Sequence, residues 1–138
     1  MIVLGDPPEA WEALGFTVRQ GIVELGEERL MLSGRGGGIL EVRARGLTAD
    51  EPDGLPLREA NPQPPSRGSD PVEAWSRVAH PNGATVVDHV VVLTGSMRRT
   101  IGALQAAGLD LRRELPGMAF LRLGSALICW HFAADLFC

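Results

Sequence analysis

Apolar positions fall into two dense blocks, residues 1–46 and 85–132, separated by a stretch that carries almost no regular pattern. In the first block MIVLG reads as a strand. DPPEAWEALG reads as a short helix, with Asp6 as N-cap, Pro7 in the first turn, Glu9 completing a capping box and Gly15 as the stop. Strands are expected next at FTVRQ, GIVELG, ERLML and GILEVRARG, where apolar and polar residues alternate. In the second block VVDHVVVLT is the strand, and SMRRTIGALQAAG is a helix with Ser96 as N-cap, Met97, Ile101 and Leu104 on one stripe and Gly108 as the stop. LDLRRE, MAFLRLG and ALICWHF follow as short strands. Both blocks therefore read strand, helix, then about three strands, with ALGFTV matching AAGLDL and IVELGEERLML matching FLRLGSALICW.

Between them, residues 48–84 hold seven of the ten prolines. Each proline lacks an amide donor and disfavours a helical residue before it, so a surface connector is expected, with one short helix at DPVEAWSRVA capped by Asp70. The organisation expected is one domain over 1–138: module one at 1–46, the connector at 48–84 and module two at 85–138.

Composition narrows the class. The 138 residues suffice for one core. A formal charge of −4, with 13 scattered Lys and Arg, excludes the basic stripe that nucleic acid requires. No apolar run is long enough to span a bilayer, and MIVLGDPPEA has no basic signal region, so a cytoplasmic protein with no membrane partner is expected. Cys129 and Cys138 form neither a disulfide framework nor a C-x-x-C motif and are read as reduced thiols. Abundant Ala, Gly and Arg beside the absence of Tyr points to GC-rich bacterial coding.

The repeat, carried most specifically by DHVVVLTGSMRRTIGALQAAGLDLRRE and MAFLRLGSALI, resembles the vicinal oxygen chelate superfamily of glyoxalases and bleomycin-resistance proteins. Residues 85–128 carry most of the likeness, and residues 1–46 match more loosely. The resemblance implies an α+β fold: two βαβββ modules forming a curved, half-barrel mixed sheet with two flanking helices. It implies a small-molecule ligand on the concave face and either one divalent metal (Zn, Ni, Mn or Fe) or none. The chain would then be either a metal-dependent lyase, isomerase or dioxygenase, or a metal-free protein that sequesters an antibiotic or metabolite.

His89 stands where the superfamily places a metal-binding histidine at a module's start, and neutral imidazole is the commonest metal ligand. On the residues alone it reads first as a structural histidine near the strand end, its ring nitrogens satisfied by backbone groups or water. The module-two carboxylate place falls on Cys129, a thiol where the superfamily has an acid, and His131 follows two residues on. In module one the repeat aligns two ways: Glu41 takes the ligand place, or Met31 does and GILEVRARG is an extra strand. The counterpart of His89 would fall just before Met1, so the usual set of two histidines and carboxylates is incomplete.

Glu41, Arg43 and Arg45 share one face of GILEVRARG if it is a strand, and the arginines either grip an anionic ligand or make cross-strand ion pairs. Trp130 is a candidate for stacking on a ligand. SGRGGGI lacks the Lys-Ser/Thr and following helix of a phosphate loop and is read as a hairpin turn. The apolar end ICWHFAADLFC suggests a homodimer.

Overall fold

Two turns show how glycine placement shapes the first half. Gln20 and Gly21 both have positive φ, 52° and 75°, and Arg19 and Ile22 exchange both backbone hydrogen bonds at 2.9 Å. That is a two-residue hairpin loop of the kind whose twist suits strands. The bridge stops there, so FTVRQ is not a strand; it contributes a single bridge at Arg19. Gly26, with φ 62°, turns the chain between the next two strands.

The computed structural model describes residues 1–60, 78–116, 118–123 and 126–132, the later strands by their backbone pairing. Their content is mixed α+β and mostly β: β1 (Ile2–Leu4), α1 (Pro8–Ala13), β2 (Ile22–Leu25), β3 (Glu28–Leu32), β4 (Ile39–Ala44), a 3-10 turn (Pro52–Gly54), β5 (Leu57–Glu59), β6 (His89–Thr94), α2 (Met97–Ala106), β7 (Asp110–Leu115), β8 (Met118–Leu123) and β9 (Ala126–Phe132). A five-stranded mixed sheet has the order β2-β3-β1-β4-β5 and a four-stranded sheet the order β6-β9-β8-β7. The chain divides into two compact units. One contains Met1–Arg43 with residues 78–87, the other Ala44–Ala60 with the described residues from Asp88 onward.

In the second unit β6 leads through α2 to β7, and β7, β8 and β9 run antiparallel until β9 lies parallel to β6. Leu104 and Thr100 of α2 are fully buried, with Ile101 beside them, so the expected stripe is the packed one. The first unit repeats the plan with the Arg19 bridge in place of a second strand: β2 pairs antiparallel with β3, and β3 lies parallel to β1. Ile2, Leu4, Val23, Leu25, Leu30, Leu32 and Val42 form its core, all from one face of the strands.

Both helices end the same way. Gly15 (φ 81°) donates to Glu12 and Phe16 to Trp11; Gly108 (φ 90°) donates to Gln105 and Leu109 to Leu104. A left-handed glycine followed by a bond back to the last full turn is the Schellman ending. The helix starts depart from expectation. Pro7, not Asp6, occupies the N-cap position of α1, and no side chain caps it. Pro7 has no N–H for Glu9 to accept, so a capping box cannot close there. The Asp6 carboxylate instead accepts the Trp11 indole N–H at 3.2 Å. Ser96 does hold the N-cap position of α2, but without a side-chain bond.

The glycine run is not a hairpin turn, because β3 and β4 lie on opposite edges of β1. It carries the chain over the end of β1, backbone against backbone: Gly5 N–H donates to Gly38, and Gly36 N–H to Gly5. A Cβ on Gly5 would stand 2.7 Å from Gly36 carbonyl atoms. The connector also holds structure that proline content concealed, the 3-10 turn and β5. The helix expected at DPVEAWSRVA lies, apart from its last residues, outside the described residues.

Candidate functional site

Strand pairing decides between the two repeat alignments. Ile22 opposite Met31 answers to Phe120 opposite Cys129, and Val3 beside Met31 answers to Val91 beside Cys129. Met31 is therefore the counterpart of Cys129, and β4 is the additional strand. Ile2 beside Leu30 answers to Val90 beside Ile128, which brings Met1 itself, rather than a position before it, into register with His89.

Glu41 is opposite Val3 on β4, in the same row as Met31, on the face of the sheet away from its core. Its carboxylate is ion-paired with the Arg43 guanidinium, two residues along the same face. Arg43 is half exposed, and its backbone N–H bonds to Met1. Arg45 lies beyond the end of β4 in the turn that follows, so it does not extend the row as the longer strand would have required. The backbone stops pairing one residue earlier because the chain turns at Gly46 (φ 87°).

His89 opens β6 instead of sitting in its middle. Its Nδ1 and the Asp88 carboxylate are 2.7 Å apart, so the two side chains meet and do not point to opposite faces of a strand. Asp88 precedes the paired residues and is free of the alternation that pairing would impose. A carboxylate on Nδ1 fixes the tautomer of the neutral ring and leaves Nε2 as its acceptor. Two and four residues on, Val91 and Leu93 are 47% and 59% exposed, an apolar strip continuing from the imidazole. Cys129 is in register with Val91 and Phe120, Trp130 with Val92 and Ala119, and His131 with Leu93 and Met118. Among the described residues no three His, Cys, Asp or Glu side chains come together in a way that could hold a metal ion. Nor is any described helix long and apolar enough to cross a membrane.

Two polar groupings were not anticipated. His80 is buried; its Nδ1 accepts the Thr17 N–H at 2.9 Å and its Nε2 faces the Glu24 carbonyl at 2.7 Å, which assigns the hydrogen to Nε2. Phe16 packs against the ring edge-on. The local signal was His80-Pro81-Asn82-Gly83, a turn sequence, and Gly83 N–H does bond back to His80. The second grouping joins Asp53 to α2. Ser96 N–H donates to Thr94 Oγ1, and Thr100 Oγ1 donates to the Asp53 carboxylate. The contact of 2.6 Å between the Thr94 and Thr100 hydroxyls must therefore be donated by Thr94. Arg99 Nε adds a bond to Asp53 at 2.6 Å. The Thr100 hydrogen bond first, then the Arg99 bond and charge, hold the Asp53 carboxyl below its usual range. No sequence periodicity marks Asp53, since its partners lie far along the chain.

Compared with protein-family models, with curated proteins and with solved structures, the chain matches none.

Proposed function

We propose that the chain is a glyoxalase/bleomycin-resistance-like protein that binds a small molecule on the open sheet face without metal catalysis. The observation that carries this reading is the β6-α2-β7-β8-β9 unit, closed by a parallel β6-β9 pair, with His89, Val91 and Leu93 exposed along its edge strand. An apolar strip ending in one oriented imidazole suits an organic ligand with a polar end, the usual composition of a ligand surface. In the fuller reading the two repeats are modules of a curved half-barrel, the ligand surface is concave, and a second copy of the chain completes it.

The positions equivalent under the repeat speak against the superfamily's metal chemistry. Of these only His89 keeps a ligand of the expected type, and Met1, Met31 and Cys129 stand where the other histidine and the carboxylates would be. Thioethers are soft ligands and poor partners for zinc, manganese or iron, so no catalytic step is assigned to an ion. One observation favours a second reading: the imidazole held at Nδ1 by the Asp88 carboxylate has the second partner that metal-ligating histidines usually have. In that reading His89, Glu41 and Cys129 supply the donors for one divalent ion, and Arg43, Arg45 and Trp130 contact the ligand.

The deciding experiment pairs elemental analysis of the purified protein with a ligand screen by thermal shift and tryptophan fluorescence, using aromatic and glycopeptide antibiotics and small metabolites. Wild type and Val91→Glu are compared. Binding to metal-free wild type that Val91→Glu abolishes is the expected result. Near-stoichiometric metal that disappears in His89→Ala supports the second reading, and no binding with no metal overturns both.

A further inference from the structure

The segment Ala44–Ala60 lies along α2 and serves both of its ends. At the C-terminal end Thr48 gives its N–H to Ala107 and its hydroxyl to Ala106, satisfying two of the carbonyls that a helix leaves open. Gly46 approaches so closely that a Cβ on Gly108 would stand 2.9 Å from its oxygen. At the N-terminal end Asp53 accepts from Thr100 and Arg99, placing a carboxylate beside the first turns of the helix, where the macrodipole favours it. The segment closes on itself: Ala60 N–H donates to Ala44, Glu51 N–H to Leu57, and the Glu59 carboxylate accepts from Gly46 and Leu47. Its apolar anchors are Leu47, Pro52 and Leu57.

Two of its residues sit in a conformation that side chains resist. Glu51 (φ 52°, ψ 44°) and Asp53 (φ 54°, ψ 27°) are left-handed, and neither is glycine. Such residues persist where surrounding bonds hold them, and strain of this kind gathers in switching segments. Arg99 on α2 is ion-paired with Asp53, and the segment's other charged residues are Arg45, Asp50, Glu51 paired with Arg58, and Glu59. Arg99 and the Thr100 hydroxyl are the groups shown bonded to the carboxylate from α2.

We propose that residues 46–56, the part of this segment between β4 and β5, form a releasable strap over α2 that opens ahead of the sheets, with Asp53 as its fastening. Opening relieves two left-handed residues and bares Leu47, Pro52 and the Ala106 and Ala107 carbonyls of α2. Elements that move are drawn from the least stable parts of a fold, and a strap held by the bonds of Asp53, Thr48 and Glu59 and by the side chains of Leu47 and Pro52 fits that description.

The test is hydrogen exchange on the full chain, read at the strap amides of Leu47, Thr48 and Glu51, whose acceptors on Glu59, Ala107 and Leu57 lie outside the strap, and at the amides of β2, β3 and β8. Asp53→Asn keeps the shape and the left-handed tolerance but removes the charge. It is expected to speed exchange in the strap by about tenfold or more, with the strand amides unchanged. Asp53→Gly removes the carboxylate and the backbone strain together, and still exchanges faster than wild type. An unchanged strap in either variant, or equal acceleration in strap and strands, overturns the proposal. Should both variants fail to fold, wild type decides: strap and strand amides exchanging at one common rate is the overturning result.

Discussion

The two repeats share a plan but are completed differently. In the first, α1 has six residues and buries none of them, and the unit is finished by His80 reaching back to Thr17 and Glu24. In the second, α2 has ten residues, buries Thr100, Ile101 and Leu104, and is finished by the Thr48–Asp53 strap. What differs is where the folding energy sits. A six-residue helix cannot hold itself, so the first unit relies on its sheet core and on one bonded histidine. The second relies on the helix face. The connector that reads as a spacer supplies a part to each.

The largest effect expected is at Leu104. Truncation to Ala removes a fully buried side chain beneath α2 and should cost about 2–5 kcal/mol, measured by urea denaturation. A cost under about 1 kcal/mol would mean that α2 does not anchor its unit and would end the contrast between the helices.

The twin glycines sharpen the comparison. Gly15 and Gly108 are both left-handed, so Ala at either meets backbone strain of about 1–2 kcal/mol. Gly108→Ala also drives a Cβ to 2.9 Å from the Gly46 oxygen, adding overpacking of about 1–3 kcal/mol. At Gly15 the nearest atoms are the Asn82 Cβ at 3.2 Å and backbone nitrogen at 3.3 Å, a looser approach than the one at Gly108. Thermal melts should therefore rank Gly108→Ala well below Gly15→Ala. Equal losses would mean that the strap gives way to the new methyl group.

In the first unit, His80→Ala removes the partner of the Thr17 N–H and of the Glu24 carbonyl, both part-buried, and each lost bond costs about 0.5–1.5 kcal/mol. Exchange at the Thr17 amide reports the loss directly. If the amide stays protected, the surrounding fold keeps it closed without the ring and the histidine is dispensable.

The contrast between units also has a pH signature. The Asp53 carboxyl is depressed below its ordinary value of 3.8 by the Thr100 hydrogen bond and then by Arg99. A depressed acid stabilises the fold above its unfolded value, and that contribution is lost as pH falls through the lower folded value. Strap exchange, after correction for intrinsic rates, should thus accelerate below pH 3.8 in wild type and stay flat in Asp53→Asn. A parallel acid response in the two proteins would assign the loosening to other carboxylates.

Much of this plan was legible in the residues, and the misses have physical causes. The strand-helix-strand order, both glycine stops and the α2 stripe follow from periods of two and 3.6, which are local properties. FTVRQ alternates like a strand, but the Gln20-Gly21 loop closes after one bridge, and alternation cannot report how long pairing lasts. The choice between Met31 and Glu41 needed the register, because both lie in the same row of the sheet. His80, Asp53 and Thr48 escaped because their partners lie far away in sequence, and prolines signal irregular backbone without saying what it touches.

The smallest stability effect and the sharpest functional one coincide on β6. Val91 and Leu93 are well exposed, so Val91→Thr or Leu93→Thr should shift stability within about 0.5 kcal/mol. Their counterparts differ in kind: Val3 answers to Val91 but carries β4 on its edge, with Glu41 and Arg43 completing a polar end to that row. Ligand affinity should therefore fall with substitutions on β6 and hold in Glu41→Gln, whose surface ion pair with Arg43 is worth about 0–1 kcal/mol. Titration of the three proteins with one ligand separates the two faces. Loss of binding in Glu41→Gln alone would move the site to the first unit and make the β6 strip an ordinary exposed strand.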